Sequence, residues 1–162
     1  MAESQLQELE RIIDQTQHAL FRAAYFRTGS LADAQDLVQD VFLKLWNDVD
    51  HLSRVDNIKG YLFRSVYNHC SDYGRKKRRS LTVPLGETLA EELLDEDQSE
   101  LHAEYERIDK LLGALPPEQA EIIRMKTVDN LTFVEIARIL NIPLTTAKSR
   151  FKYGIDHLRK NF

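Results

Sequence analysis

Leu131-Thr-Phe-Val-Glu-Ile-Ala-Arg-Ile-Leu-Asn-Ile-Pro-Leu-Thr-Thr-Ala-Lys-Ser-Arg-Phe-Lys-Tyr-Gly-Ile-Asp-His-Leu-Arg-Lys160 is the stretch from which the fold can be read. In its first third, Ile136, Ala137 and Leu140 fall on one apolar edge at helical spacing, and Ala137 is small enough to let a second helix cross closely. Asn141-Ile142-Pro143 then turns the chain: Asn tolerates the left-handed conformation, Ile142 can plug the crossing, and Pro143 presets the backbone for a new helix. In that second helix Ala147, Phe151, Ile155 and Leu158 are expected to face inward. Thr145, Lys148, Ser149, Lys152 and Tyr153 are then left outside. The spacing predicts a helix-turn-helix, with helices over about Thr132 to Leu140 and Leu144 to Lys160.

A short basic and hydroxyl-bearing face of this kind can serve phosphates and base edges, which reads the segment as a groove binder of duplex DNA. An ordinary helical hairpin with a solvated basic face has the same spacing. The small Ala, the three-residue turn and the cluster Lys148-Ser149-Arg150 favour the DNA reading.

Outward from this segment, apolar residues keep helical spacing and no period-two run of β-branched residues occurs, so the chain is expected to be all-α. Between Leu31 and Asp48, Ala34, Leu37, Val38, Val41, Phe42, Leu45 and Trp46 follow helical spacing for three turns. Gly29 closes whatever precedes that helix, and Ser30 with Asp33 resembles a capping box, weakened because Asp is shorter than Glu. Leu6 to Arg27 reads as a helix or helix pair, Lys59 to Arg78 as another helix, and Asp50 to Asn57 as a polar turn. From Leu81 the pattern fails at Pro84 and Gly86, and an acidic stretch follows whose apolar residues are too few for a core. Helices are expected again over about Leu101 to Leu115 and Glu118 to Thr127. The expected architecture is two small helical domains, 1–80 and 105–162, joined by a flexible acidic linker, 81–104.

The formal net charge of −4 argues against a phosphate partner until it is mapped along the chain. Residues 1–73 carry 7 basic and 11 acidic groups, and residues 74–79 carry 5 basic and none acidic. Residues 87–106 carry 9 acidic groups and no Lys or Arg, whereas residues 110–162 carry 9 basic and 5 acidic. Local charge is what a phosphate meets. Cys70 is the single cysteine, which rules out an internal disulfide and a Cys-based zinc cluster and fits a reducing compartment. No apolar run approaches the roughly 20 residues of a membrane span, and the start lacks the basic and apolar regions of a signal peptide. A soluble cytoplasmic protein without membrane insertion is expected. A metal-dependent nuclease using Asp36 and Asp40 is a further reading, disfavoured because no third carboxylate or His falls at ligand spacing on the same helix, and no metal or cofactor is expected.

Asp33-Ala-Gln-Asp-Leu-Val-Gln-Asp-Val-Phe-Leu-Lys-Leu-Trp46, then Gly60-Tyr-Leu-Phe-Arg64 with Asn68, and Leu115-Pro-Pro followed by Ile142-Pro143 and Ala147-Lys-Ser-Arg150, together resemble the sigma factors of bacterial RNA polymerase. The short length and the direct step between helical domains are similar to the extracytoplasmic-function group. The resemblance covers about residues 15–80 and 105–160. It implies a dissociable initiation subunit whose partners are core RNA polymerase, promoter DNA as duplex and melted strand, and in many members an anti-sigma factor. It implies no catalysis.

The resemblance places polymerase docking on Asp36, Gln39 and Asp40, which share one helix face opposite the apolar stripe. It places recognition of the melted downstream element, called minus ten, on Asn57, Lys59, Tyr61, Arg64 and Asn68 and on the run Arg75, Lys76, Lys77, Arg78 and Arg79. Aromatics there can stack bases while cations follow the backbone. Phe63 and Tyr67, at i and i+4, are expected to be packed instead, while Tyr73 joins the mixed aromatic and basic set. Ser53, Arg54 and Asn57 correspond to the segment that pockets a flipped base. The upstream element, called minus thirty-five, falls to Thr145, Thr146, Lys148, Ser149, Arg150, Lys152 and Tyr153. The chain departs from the family at Tyr153-Gly154-Ile155-Asp156, since a mid-helix Gly costs on the order of 1 kcal/mol.

Other readings stay open on the residues alone: a stand-alone DNA-binding regulator, a protein-interaction module, or a solvated basic run at 75–79. The acidic stretch from Glu87 to Glu106 adds an expectation of its own, that it imitates nucleic acid and either occupies a basic channel in the polymerase or shields basic surfaces of the free protein.

Overall fold

The computed structural model describes residues 2–48, 50, 57–80 and 96–161, apart from the side chains of 2 and 77–80. Seven helices and no strand occur among them: α1 (Ala2–Thr28), α2 (Leu31–Asn47), α3 (Ile58–Ser80), α4 (Glu96–Gly113), α5 (Pro117–Thr127), α6 (Phe133–Leu140) and α7 (Leu144–Asn161).

The first helix is single and unbroken, and its C-terminal half is buried through Leu20, Ala23, Ala24, Tyr25 and Phe26. Gly29 ends it in the left-handed region at φ 70°. A Cβ on Gly29 would stand 2.6 Å from Cε1 of Tyr105 on α4, so the turn requires glycine twice over. Helix α2 begins at Ser30, whose hydroxyl accepts from the Asp33 amide at 3.2 Å. The reciprocal half of the expected capping box is absent, because the Asp33 carboxylate instead accepts the Tyr73 hydroxyl of α3 at 2.7 Å. The α2 stripe packs as Ala34, Leu37, Val38, Val41 and Leu45. Trp46 departs from it and is 43% exposed, one residue beyond the last inward position.

Helix α4 starts at Glu96, about five residues earlier than the apolar spacing suggests. Glu96 and Asp97 occupy its first turn, where carboxylates meet the positive end of the helix dipole. Leu101, Tyr105 and Ile108 then supply a packing face, which places residues 96–104 in a helix rather than a linker. Residues 81–95 and the polar turn over 51–56, with Ser53 and Arg54, lie outside the described residues.

Helices α5 to α7 form the second group. Pro117 sits in the first turn of α5, where its missing N–H costs nothing. Thr132 and Glu135 form a full capping box at the start of α6, with Glu135 N–H to Thr132 Oγ1 at 3.1 Å and Thr132 N–H to Glu135 Oε1 at 2.9 Å. Asn141 then adopts φ 55° and ψ 50°, the left-handed turn expected of it. Gly154 is buried in α7, and a Cβ there would approach Ile123 Cδ1 of α5 to 2.8 Å. The mid-helix glycine is thus the close-approach point between α5 and α7. A small cluster of Leu112, Leu115, Ala120 and Ile123 packs beside Phe151, Ile155 and Leu158. The larger cluster runs without interruption from Leu9 and Leu20 through Phe63 and Val66 to Ile136 and Ala147, joining the two groups.

Candidate nucleic-acid interface

Helix α7 carries its outward face as expected. Thr145, Lys148, Ser149, Lys152 and Tyr153 are exposed, Tyr153 at 62%, while Thr146 and Arg150 are half-buried. Ala147 is fully buried against the first helix of the motif, and the Phe133 and Phe151 rings meet edge to face at 5.3 Å between centroids. The basic face is therefore held by a packed crossing and a fixed turn. An array of donors on a rigid helix can enter a groove without ordering itself first.

Helix α3 divides its candidates between two sides. Tyr61, Arg64, Asn68 and Arg75 recur at spacings that share one helix face, and Arg64, Asn68, Arg75 and the neighbouring Lys76 are exposed. Arg75 pairs with Asp72 one turn back. Lys59 lies on the other side, with Nζ 3.0 Å from Glu135 Oε2 at the start of α6. Asn57 accepts the Gly60 amide at 3.1 Å, so its side chain closes the first turn of α3 in the manner of a cap. Phe63 is buried as expected, and Tyr67 packs with its ring 6.0 Å from that of Phe63. Tyr73 is tied to Asp33 and belongs to the packing, unlike the outward role its neighbours suggest. Of the basic run, the side chains of Lys77, Arg78 and Arg79 lie outside the described residues.

On α2, Asp36, Gln39 and Asp40 are exposed together, opposite the buried stripe. Asp36 and Asp40 line one wall of a groove of about 520 Å³, with Lys44 beside them and His69, Asp72 and Lys76 of α3 opposite. Lys44 donates to His69 Nε2 at 3.2 Å, and His69 Nδ1 donates to the Ser65 carbonyl at 2.7 Å, which fixes the ring. Next to Gln39, the apolar Phe42, Leu43 and Trp46 line a shallow hollow of about 310 Å³ with Ile13. Leu43 is 60% exposed. No three of His, Cys, Asp and Glu converge as a metal site among the described residues.

Sequence reasoning missed a buried polar node. Arg27 at the end of α1 places Nη2 2.9 Å from both Glu121 Oε1 and Asp129 Oδ2. Its guanidinium stands 4.3 Å from the Tyr67 ring centroid, and the Tyr67 hydroxyl donates to Asp129. Burial works against the charge on Arg27, but Glu121 and Asp129 outweigh it and hold the group cationic. Burial also pushes the Asp129 carboxyl above its ordinary value, against the pull of Arg27 and the Tyr67 hydroxyl. These residues stand up to 102 positions apart, and no local pattern joins them.

Two family models match the chain: Sigma-70 region 2 over residues 12–80, and Sigma-70 region 4 over residues 105–158. The extracytoplasmic-function RNA polymerase sigma factor SigW of Bacillus subtilis is 27% identical over 161 residues, covering 92% of this chain and 86% of the relative. The corresponding factor RpoE of Cereibacter sphaeroides is 30% identical over 139 residues, covering 83% of this chain and 76% of the relative. Among solved structures, the sigma factor RpoE of Bartonella quintana, in complex with the anti-sigma factor NepR, superposes with a TM-score of 0.68 at 22% identity. That match covers 95% of this chain and 96% of the other, and it shows the shared helical fold.

Proposed function

The chain belongs to the extracytoplasmic-function sigma factors of bacterial RNA polymerase, and on that premise we propose a division of its initiation work among three faces. As a sigma factor it binds core RNA polymerase and directs promoter recognition and initiation, without catalysis of its own. Within that activity, Asp36, Gln39 and Asp40 on α2 dock on the polymerase. The α3 face of Tyr61, Arg64, Asn68 and Arg75, extended by Lys76, holds the melted minus-ten strand. The α7 face from Thr145 to Tyr153 reads the duplex minus-thirty-five element. Residues 1–80 and 105–162 are the two units that carry these tasks, acting with the polymerase in the cytoplasm. Lys59 enters the minus-ten set only if its pairing with Glu135 is released, and Asn57 serves chiefly to start α3.

The observation that carries this reading is the α7 face, a basic and hydroxyl surface on the second helix of a rigid helix-turn-helix. An anti-sigma partner belongs to the proposal, since the solved relative is bound to one. The test is capture of core RNA polymerase by the full chain, followed by run-off transcription from promoters selected with the complex. Changing Asp36, Gln39 and Asp40 together to Ala is expected to abolish capture while leaving helicity intact. Undiminished capture would move docking elsewhere, and no capture by the unaltered chain would reject the reading.

A further inference from the structure

Four carboxylates, Asp33, Asp36, Asp40 and Asp72, line the groove between α2 and α3, and they are engaged unevenly. Asp33 accepts the Tyr73 hydroxyl at 2.7 Å, and Asp72 pairs with Arg75. Asp36 and Asp40, one turn apart and exposed, have no side-chain hydrogen bond or ion pair among the described residues. Like charges at that spacing repel, and the natural remedy stands beside them. Lys44 follows Asp40 by four residues, in the order that best pairs acid and base on a helix. Lys44 does not take that partner. Its Nζ donates instead to His69 Nε2 of α3 at 3.2 Å.

We propose that His69 is a positioning residue for polymerase docking: as a neutral acceptor it draws Lys44 across the groove and leaves Asp36 and Asp40 uncompensated for a cationic partner surface. The inference rests on the docking proposed above for Asp36, Gln39 and Asp40.

The tautomer follows from the partners. A carbonyl only accepts, so the 2.7 Å contact of His69 Nδ1 with the Ser65 carbonyl, one turn back on α3, puts the ring hydrogen on Nδ1 and the lone pair on Nε2. An ammonium has three donors and no acceptor, so that lone pair is what holds Lys44. The ring is half-buried and tied to Ser65, which keeps the acceptor in place whether or not Lys44 is on it. Lys76, the second cation of the groove, stands on the α3 wall and makes no ion pair among the described residues.

The arrangement works only while His69 is neutral. A proton on Nε2 removes the lone pair and sets two cations 3.2 Å apart, so Lys44 moves to the acid one turn behind it, Asp40. The imidazolium then stands opposite Asp36 and Asp40, and with Asp33 and Asp72 already engaged these two acids absorb both charges. Docking on a cationic surface therefore weakens as His69 gains its proton, in the range between pH 8 and 5 where imidazoles titrate.

The experiment measures the affinity of the full chain for core RNA polymerase at pH 7.5 and 5.5, with His69→Ala, His69→Gln, Lys44→Met and the double variant, each checked for helicity by circular dichroism. At pH 7.5 His69→Ala is expected to bind about three-fold more weakly than the unaltered chain, and adding Lys44→Met to it should restore the affinity, because the lysine set free by the first change is gone. Lys44→Met alone should bind as the unaltered chain does. The amide of His69→Gln can accept from Lys44 and donate to the Ser65 carbonyl without titrating, so this variant should match the unaltered chain at pH 7.5 and bind about three-fold more tightly than it at pH 5.5.

A double variant as weak as His69→Ala, or a ratio of His69→Gln to the unaltered chain that is the same at both pH values, would overturn the positioning role and leave the docking face standing. Undiminished capture after changing Asp36, Gln39 and Asp40 together to Ala would reject the docking reading, and the inference with it. Should His69→Ala lose helicity, the pH dependence of the His69→Gln ratio decides alone.

Discussion

Arg27 illustrates how much one side chain can hold. Its guanidinium joins α1 to α5, to the Asp129 turn and to the Tyr67 ring. Removing one member of a buried pair strands the other charge, so Arg27→Ala is expected to lower stability by about 3–5 kcal/mol in urea unfolding. Replacing both members by apolar residues, Arg27→Met with Asp129→Leu, should recover most of that loss, because the desolvation cost disappears with the charges. Gly154 makes the opposite point, that a local penalty can be a packing requirement. Gly154→Ala should fail to gain the roughly 1 kcal/mol that helix propensity offers, since its Cβ would stand 2.8 Å from Ile123 Cδ1. With Ile123→Val removing that atom, the added methyl should raise stability by about 1 kcal/mol over Ile123→Val alone, read from thermal melts.

At the scale of elements, α6 depends on its first turn. Burial disfavours the charge on Glu135, but hydrogen bonds from Thr132 and the pairing with Lys59 outweigh it and hold the carboxyl below its ordinary 4.5. A carboxylate depressed in the folded state contributes stability that is fully present above the unfolded value and is lost as pH falls through the folded one. The stability gap between the unaltered chain and Glu135→Gln should therefore be constant from pH 7 to about pH 5. It should then shrink as the pH drops below 4.5, which melts at a series of pH values will show. The α7 face carries its own expectation. Lys148→Ala should weaken DNA binding by the polymerase complex about equally across sequences and reduce the salt slope by about 1.

Much at this scale was legible beforehand. Asn141 takes the left-handed turn that its position in the sequence demanded, and the α2 stripe packs as its spacing foretold, except at Trp46. The capping box Thr132-Phe-Val-Glu135 stood in the sequence unread. Helix α4 was mistaken over its first five residues because nine acids without Lys or Arg between Glu87 and Glu106 look unable to fold. Acids at a helix start are stabilised by its dipole, and the face of Leu101, Tyr105 and Ile108 finds its core on another helix.

For the whole molecule, a core continuous across both groups of helices predicts a small particle. Scattering from the free chain should give a radius of gyration near the 15 Å of a compact protein this long, and Arg27→Ala should enlarge it. The acidic segment packs on α1 where it is described, through Glu104 on Arg22 and the Tyr25 to His102 hydrogen bond of 3.0 Å. Glu87 to Asp95 of the acidic stretch, and the side chains of Lys77, Arg78 and Arg79, lie outside the described residues.

The sequence by itself determined the helical class, the two groups of helices, the helix-turn-helix and its outward face, because each follows from spacing within a few turns of chain. The family likeness was equally local, carried by short motifs in a fixed order. Only the tertiary structure decided which polar residues are spent on packing. Tyr73 goes to Asp33, Asn57 to the start of α3, Lys59 to Glu135, and Arg27 to partners 94 and 102 residues away. A charged side chain's role is set by what approaches it from elsewhere in the chain and by how much water that approach removes, and neither is written in its neighbours.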